Sequence, residues 1–105
     1  MFKIVAVLRK RPELTREQFL HYWCEEHPAY VRRLPGIRAY RQNPAIKHRK
    51  DWPFDGMAEI WFDSVKDVAI AYAGPEAQEL TRHEDHFLAD MQWILAEEVD
   101  VDLEA

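Results

Sequence analysis

One histidine and one tyrosine in the first forty residues are the side chains best suited to proton-transfer chemistry. His27 lies within an apolar helical stripe, and Tyr40 follows the tight turn Leu34-Pro35-Gly36-Ile37. An imidazole titrates near neutral pH and can act as a general acid or base, while a phenol can orient or protonate a substrate oxygen. A structural role stays open for each: His27 could bond a carbonyl freed by Pro28, and Tyr40 could fill the core.

A carboxylate and four aromatic residues are further candidates. Glu59 lies on the mixed face of a predicted strand, where a dry pocket would raise its pKa and make it a base. Pairing with Arg38 or Arg41 on a neighbouring strand is the alternative. Aromatic residues at helical or strand spacing indicate either core or the wall of a ligand pocket, and the candidates for substrate binding are Tyr22, Trp23, Trp61 and Trp93.

Neither a metal nor an organic cofactor is predicted. His83, His86 and Asp90 fall on nearly one face of a predicted helix, but nothing near them in sequence completes a set of metal ligands. The three glycines all fall at predicted turns, so no phosphate-binding glycine loop is present. Cys24 is the only cysteine, has no activating base beside it, and is expected to be a buried small hydrophobic residue.

The first strand and the first helix have clear sequence signals. Residues 2–8 form a β-rich apolar run, and Thr15-Arg16-Glu17-Gln18 then matches a capping box that starts a helix. Pro28 is expected to kink this helix just after His27. The helix places one apolar stripe at three-and-four spacing, made of Phe19, Tyr22, Trp23, His27, Tyr30, Val31 and Leu34.

The rest of the sequence predicts two further strands, a second helical region and a fourth strand. Residues 37–43 and 57–62 predict two strands, separated by a polar loop over residues 43–55. Ser64 is a candidate N-cap for a helix that Gly74-Pro75 ends, and Pro75 can open another helical segment. That segment is predicted to run through Ala77, Leu80, Phe87 and Met91, before a fourth strand over residues 93–99.

The order strand, helix, strand, strand, helix, strand predicts an α+β fold of the ferredoxin-like βαββαβ type. In this arrangement both helices cover one face of an antiparallel sheet. The other face is expected to carry Tyr40, Glu59 and Trp61, which is too aromatic a surface to leave in water without a reason. A homodimer that pairs two such faces, with a pocket between each sheet and its helices, is therefore predicted.

Composition limits the class of protein. At 105 residues and with 48% hydrophobic content, the chain is expected to form one domain over residues 1–105. A net charge of −5 argues against nucleic-acid binding, although one of two short basic clusters could steer an anionic ligand. A single cysteine, the absence of a signal-peptide pattern and the lack of a membrane-length apolar run predict a cytoplasmic protein with no membrane partner.

This ordered set of residues resembles the EthD-like family of the dimeric α+β barrel superfamily, over residues from near 2 to about 99. The first helix contributes Phe19, Trp23 and His27 to the resemblance. The turn at residues 34–37 with Tyr40, and Asp55-Gly56 leading into Glu59-Ile60-Trp61-Phe62, carry the rest. Proline after the histidine and the long loop over residues 43–55 are departures from the pattern of relatives, and both could reshape a pocket.

The resemblance implies a ferredoxin-like subunit that dimerises, or forms larger assemblies of dimers, with a pocket between helix and sheet. Family members accompany catabolic or biosynthetic operons. One relative, methylmuconolactone methylisomerase, works without metal or organic cofactor, and the resemblance implies that its histidine and tyrosine match His27 and Tyr40. Its cysteine and further histidines have no clear counterparts here, so its specific isomerisation is not carried over.

Three functions follow as hypotheses. The first is a cofactor-independent enzyme, of isomerase, cyclase or lyase type, that transfers a proton on a small apolar cyclic or aromatic-derived metabolite. The second is a small-molecule-binding or accessory protein that serves a partner oxidase. The third is a cofactor-free monooxygenase. A His27 side chain that is bonded to backbone and turned from the pocket would favour the second.

Overall fold

A computed structural model describes residues 1–104 of the chain. Four strands are present: β1 (Phe2–Lys10), β2 (Ala39–Pro44), β3 (Gly56–Phe62) and β4 (Leu88–Glu97). They form one sheet in the order β2-β3-β1-β4, and every neighbouring pair is antiparallel. Helices follow β1 and β3, which confirms the predicted ferredoxin-like α+β arrangement.

The first helical region begins at the predicted capping box. The Thr15 hydroxyl accepts the Gln18 backbone N–H at 3.1 Å, and the Gln18 side-chain oxygen accepts the Thr15 N–H at 2.9 Å. Two of the N–H groups that a helix start leaves unpaired are satisfied in this way. The region then comprises helix α1 (Arg16–Leu20), a π-helical segment (His21–Glu26) and helix α2 (Pro28–Val31).

The helix is interrupted at His27, as the sequence predicts. The His27 N–H donates to the Tyr22 carbonyl at 2.9 Å, a bond five residues back that belongs to the wider π-helical turn. Pro28 has no N–H to continue this pattern and instead opens α2 at a first helical position. The Trp23 carbonyl, which the same pattern would pair with residue 28, accepts the Gln42 side-chain amide at 2.6 Å.

A tight turn carries the chain from α2 into the sheet. Gly36 has a φ of 79°, a left-handed conformation that glycine adopts without a steric penalty. Strand β2 starts at Ala39, two residues later than predicted, after the Arg38 N–H has bonded the Trp61 carbonyl at 2.9 Å. The polar loop that follows β2 exposes Trp52, whose indole N–H donates to the Ile46 carbonyl at 2.9 Å.

The second helical region has two helices, α3 (Val65–Ala73) and α4 (Pro75–Glu84). The predicted starts at Ser64 and Pro75 are confirmed. The extension of the second helix to Phe87 and Met91 is wrong, because Phe87 lies in a turn and Met91 lies in β4. The nine residues of β1 pair with β4 along their whole length, so the fourth strand begins at Leu88 and not at residue 93. Among the helices of residues 1–104, none is both long and apolar enough to span a bilayer.

The strand registers decide which side chains face the helices. Ile4, Ala6 and Leu8 of β1 face them and are buried, and the cross-strand pairs Ile4–Ile60 and Ala6–Ala58 place the alternate residues of β3 beside them. Tyr40 is paired with Ile60 and therefore shares this face. The prediction that Tyr40 lies on the uncovered face with Glu59 and Trp61 is wrong. A one-residue difference in register moves every side chain of a strand to the other face.

The opposite face of the sheet has no helix over it. Glu59 and Trp61 lie there as predicted, and they share the face with Lys3, Val5 and Ile94. Trp61 is only 8% exposed because the Lys3 ammonium and the Arg41 guanidinium lie over its ring at 5.0 and 5.4 Å. Ile94 is 62% exposed and is the largest apolar contribution of β4 to this surface.

Candidate active site

A cavity of about 240 Å³ lies between the helix-facing side of the sheet and the helices. Small-molecule pockets usually measure about 300–1,000 Å³, so this volume suits a small ligand. Aliphatic and aromatic side chains form most of its wall, among them Ile4, Ala6, Leu8, Val31, Ala58, Ile60, Val68, Leu80, Phe87, Leu88 and Met91. A few polar groups interrupt this wall, and they determine what chemistry the cavity can support.

His27 is the polar residue held most firmly in this wall. Its side chain is 5% exposed, and its Nδ1 lies 2.9 Å from Nδ1 of His83 on α4. The Phe87 ring meets the His27 imidazole edge-on, with 5.2 Å between the ring centroids. No backbone carbonyl bonds the His27 ring, so the structural alternative of a carbonyl freed by Pro28 does not describe this side chain. With Nδ1 turned to His83, Nε2 is the nitrogen available to the cavity.

His83 connects the cavity histidine to a carboxylate near the surface. Its Nε2 lies 3.1 Å from Oε1 of Glu26, whose side chain is 42% exposed. The bond to His83 is the main cause that holds the pKa of Glu26 below its usual value. Burial lowers the pKa of His83, so this imidazole favours the neutral state.

Glu84 and Tyr40 are two of the further polar residues of the cavity wall, which also include Tyr72 and Thr81. Glu84 of α4 lines the cavity, and Oε2 of that residue lies 3.5 Å from Nε2 of His27. Tyr40 lines it from β2, and its hydroxyl oxygen accepts the Gln42 side-chain amide at 2.8 Å. Burial raises the pKa of Tyr40 well above its ordinary value, so the phenol keeps its proton and can donate it in a hydrogen bond.

The structure brings together four of the seven residues predicted for the site. His27, Tyr40, Trp23 and Trp93 all line the cavity. Trp23 is 1% exposed and belongs to the core as well, whereas Trp93 is 57% exposed and lies on the edge strand β4. Both water and a ligand in the cavity can therefore reach the indole of Trp93.

Glu59, Trp61 and Tyr22 lie elsewhere. Glu59 faces the uncovered side of the sheet, where the bond from the Lys3 ammonium at 2.9 Å is the main cause of a lowered pKa. The expectation of a base with a raised pKa therefore does not describe its surroundings, and its partner is Lys3 in place of Arg38 or Arg41. Trp61 donates its indole N–H to Glu98 on the same side at 3.0 Å.

Tyr22 packs behind the cavity wall. Its ring stacks on those of His86 and Phe87, with centroid separations of 6.1 and 6.3 Å. Cys24 is half-buried, and burial raises the pKa of its thiol, which disfavours the reactive thiolate. Both residues support the wall and do not contact the cavity interior.

The candidate metal ligands His83, His86 and Asp90 do not share a helix face. His83 lies on α4, His86 in the following turn, and Asp90 on β4. Within residues 1–104, no three histidine, cysteine, aspartate or glutamate side chains converge as a metal-ligand set.

Sequence reasoning missed Glu26, His83 and Glu84 as members of the site. His83 and Glu84 are neighbours in sequence on α4, and both reach His27, which lies 56 residues before His83. The only local signal was the spacing of His83, which continues the buried face of α4 formed by Ala77 and Leu80. That pattern indicates burial of His83 but does not identify its partner.

Comparison with protein families identifies one match. The model of the EthD domain matches residues 11–90, which cover the first helical region, β2, β3, the second helical region and the start of β4. Among curated proteins, none matches the chain at a significant level.

Solved structures of similar fold cover almost the whole chain. An EthD family protein from Bacillus halodurans is 21% identical, with a TM-score of 0.77 over 94% of this chain and 99% of its own. A dimeric protein of unknown function and ferredoxin-like fold from Bacteroides fragilis is 13% identical, with a TM-score of 0.71 over 92% and 95%. SnoaB, a cofactor-independent oxygenase from Streptomyces nogalater, is 12% identical, with a TM-score of 0.69 over 95% and 94%.

Proposed function

Because this chain belongs to the EthD family, and because its cavity holds a histidine, we propose that it is a cofactor-independent enzyme of proton transfer. Its substrate is a small, mostly apolar cyclic or aromatic-derived metabolite, and the reaction is an isomerisation, cyclisation or lyase step. The observation that carries the proposal is the position of His27. Its Nδ1 is tied to His83, while Nε2 is left toward an apolar cavity that Tyr40 and Glu84 also line.

These groups suit the removal of a proton from carbon next to a carbonyl. Nε2 of His27 takes the proton, and the electron pair of the broken C–H bond moves toward the carbonyl oxygen. The protonated Tyr40 hydroxyl donates a hydrogen bond to that oxygen, where negative charge develops. Return of the proton from His27 to a different carbon completes an isomerisation without any other reactant. Glu84, 3.5 Å from Nε2, stabilises the imidazolium that forms in between.

The size and polarity of the cavity support a substrate of one or two rings. A volume of about 240 Å³ is below the usual range for drug-sized ligands, and the wall offers only a few polar side chains among mostly apolar ones. An apolar ring would fill the cavity without leaving a polar wall group unpaired. One oxygen of the substrate would accept a hydrogen bond from the Tyr40 hydroxyl. A highly charged metabolite would leave its charges unpaired against the aliphatic wall.

The proposal is tested with a panel of small lactones, cyclic enones and quinols in heavy water. Quenching of Trp93 fluorescence, with Trp93→Phe as the matched control, reports binding in the cavity. Deuterium entering a carbon position of the bound compound reports proton transfer. Binding together with exchange is the expected result. Binding of several compounds without exchange or turnover contradicts the enzyme proposal and favours a carrier or accessory role.

Oxygen consumption is measured with the quinols in the same panel. The fold similarity to SnoaB, a cofactor-independent oxygenase, is the observation that favours this second chemistry. Uptake of oxygen by the protein with a quinol, without deuterium exchange into the other compounds, assigns the cavity to oxygenation and contradicts isomerisation.

The proposed active unit is a homodimer formed through the uncovered face of the sheet. This face combines the exposed side chain of Ile94 with the Lys3–Glu59 ion pair and with Arg41. The relative from Bacteroides fragilis, which has the same fold, is dimeric. Pairing with a second copy would remove Ile94 from water.

Ile94→Asp is expected to convert the dimer into a monomer at micromolar concentration, because it buries an unpaired charge in the interface. Light scattering of the purified protein measures the mass. Ile70→Asp is the matched control, since Ile70 is a comparably exposed isoleucine on α3 (53%, against 62% for Ile94) and lies on the helical side. A single-chain mass for the unmodified protein contradicts the dimer, and a dimeric Ile94→Asp variant excludes this face.

A further inference from the structure

We propose that Glu26 and His83 are positioning residues that hold His27 in one tautomer, with the proton on Nδ1 and a free lone pair on Nε2. The inference rests on the proposed function, because it specifies why the cavity histidine acts as a base. Neither residue touches the cavity. Both act through His27, in a chain that runs from the protein surface on the first helical region, through α4, to the cavity wall.

The chain has two hydrogen bonds, each of ordinary length. Nδ1 of His27 and Nδ1 of His83 are 2.9 Å apart, and Nε2 of His83 is 3.1 Å from Oε1 of Glu26. A neutral imidazole carries one proton, so one of its nitrogens donates and the other accepts. A bond between two Nδ1 atoms therefore has two possible directions. The direction decides whether Nε2 of His27 bears a proton.

The carboxylate at the far end sets that direction. An ionised carboxylate only accepts hydrogen bonds, so Nε2 of His83 must donate to Glu26. A neutral His83 with its proton on Nε2 has a bare Nδ1, which can only accept. His27 must then donate from Nδ1, which leaves Nε2 unprotonated. The lowered pKa of Glu26 keeps it ionised, and burial, by lowering the pKa of His83, keeps that ring neutral.

Packing fixes the two rings in this chain. His27 and His83 are 4% and 5% exposed. The Tyr30 ring stacks on His83, with 4.3 Å between centroids and 15° between planes, so His83 cannot turn over freely. The two imidazole planes differ by only 13°, so the rings lie nearly parallel, with 5.1 Å between their centroids.

Of the other titratable groups around the chain, one opposes this assignment. Oε2 of Glu84 lies 3.5 Å from Nε2 of His27 and favours a proton on that nitrogen. This separation is longer than a hydrogen bond, so its pull is weaker than that of the two bonds of 2.9 and 3.1 Å in the chain. Tyr40 faces the cavity from β2 and stays protonated. His86 lies beside His83, with 5.8 Å between rings, and His21 bonds the second oxygen of Glu26 at 2.9 Å. The contact with His21 also lowers the pKa of Glu26, and it does not compete for the oxygen that His83 contacts.

The tautomer has a direct consequence for the reaction. With the proton on Nδ1, Nε2 can accept a proton from the substrate, and the resulting imidazolium still donates to His83. In the reversed tautomer, Nε2 would carry a proton toward Glu84 and could not act as a base. Glu26 and His83 thus decide whether Nε2 of His27 can act as a base.

Nitrogen-15 NMR of the histidine side chains tests the inference without any substrate. Two-bond correlations at a pH of about 7.5, above the ordinary histidine pKa, identify which ring nitrogen is protonated. The expected result for the unmodified protein is His27 with Nδ1 protonated and Nε2 bare, and His83 with the opposite pattern. A His27 ring protonated at Nε2 overturns the inference.

Variants separate the two positioning residues. His83→Phe removes the acceptor, so the Nδ1-protonated form of His27 is expected to be lost in favour of Nε2–H, which then faces Glu84. His83→Asn offers an amide oxygen near the Nδ1 position and is expected to restore the original form. Glu26→Gln is expected to give a mixture of both forms, while Glu25→Gln, a neighbouring exposed carboxylate that contacts His21, is expected to leave the spectrum unchanged.

Each part of the inference can fail by itself. An unchanged His27 spectrum in His83→Phe overturns the role of His83. A Glu26→Gln spectrum identical to that of Glu25→Gln overturns the role of Glu26, and this variant remains informative if the buried His83→Phe substitution prevents folding. The tautomer does not depend on turnover, so the predicted spectrum combined with no deuterium exchange would contradict the proposed enzyme and leave the positioning chain intact.

Discussion

Replacing His27 with glutamine is expected to slow the proposed proton transfer by about 10²- to 10⁴-fold, the usual contribution of one general acid–base group. Glutamine has a volume close to that of histidine, and its amide can still bond Nδ1 of His83. It cannot accept a proton near neutral pH. The change therefore removes the chemistry of the side chain while preserving most of its contacts, which are with His83 and Phe87.

The measurement is the rate of deuterium incorporation, or turnover, at a substrate concentration that saturates both proteins. His86→Gln is the matched control, because His86 lies two residues beyond Glu84, is exposed and does not line the cavity. Its rate is expected to stay within a factor of two or three of the unmodified protein, since exposed substitutions usually change the stability by less than about 0.5 kcal/mol. A loss below tenfold in His27→Gln would show that another group takes the proton.

Several elements of this fold could be predicted because their signals are local. The capping box at Thr15, the N-cap at Ser64 and the tight turn at Gly36 each depend on a few consecutive residues. The apolar stripe of the first helix also predicted its buried face, since every member of the stripe is buried or half-buried. Together with the strand patterns, these signals fixed the order of elements and hence the α+β class.

The error at the end of the second helical region has a physical cause. Phe87 and Met91 continue the apolar spacing of α4, so the sequence is compatible with either a longer helix or a strand. Pairing with β1 decides between them, because β1 would otherwise lose backbone partners from Leu8 to Lys10. Such pairing is a property of distant residues and leaves no trace in a short window of sequence.

The site could be predicted only in part, because some of its features are local in sequence and others depend on distant residues. His27, Tyr40, Trp23 and Trp93 could be named from their residue type and position, and all four line the cavity. The face on which Tyr40 lies depends on the register of β2 against β3, which no local pattern specifies. The partners of His27 come from α4, more than fifty positions away in the sequence. Only the tertiary structure makes a histidine on an apolar stripe into a member of a hydrogen-bonded chain.

Trp23→Ala is expected to lower the free energy of unfolding by about 3–5 kcal/mol, the usual cost of truncating a buried large aromatic residue. Trp23 is 1% exposed, and its ring packs on Phe19 with 5.4 Å between centroids. The fit against β3 is equally close, because a Cβ placed on Gly56 would lie 2.5 Å from the indole. A typical domain is stable by about 5–15 kcal/mol, so this one change removes a large share of the total.

Urea unfolding at one fixed protein concentration measures the effect, since a dimer would make the midpoint depend on concentration. Trp52→Ala is the matched control: this tryptophan is 42% exposed in the loop after β2, and its loss is expected to cost less than about 1 kcal/mol. Equal effects of the two substitutions would contradict the assignment of Trp23 to the core. Because Trp23 also lines the cavity, its removal enlarges the space beside His27, so a stable Trp23→Ala protein should bind larger rings than the unmodified one.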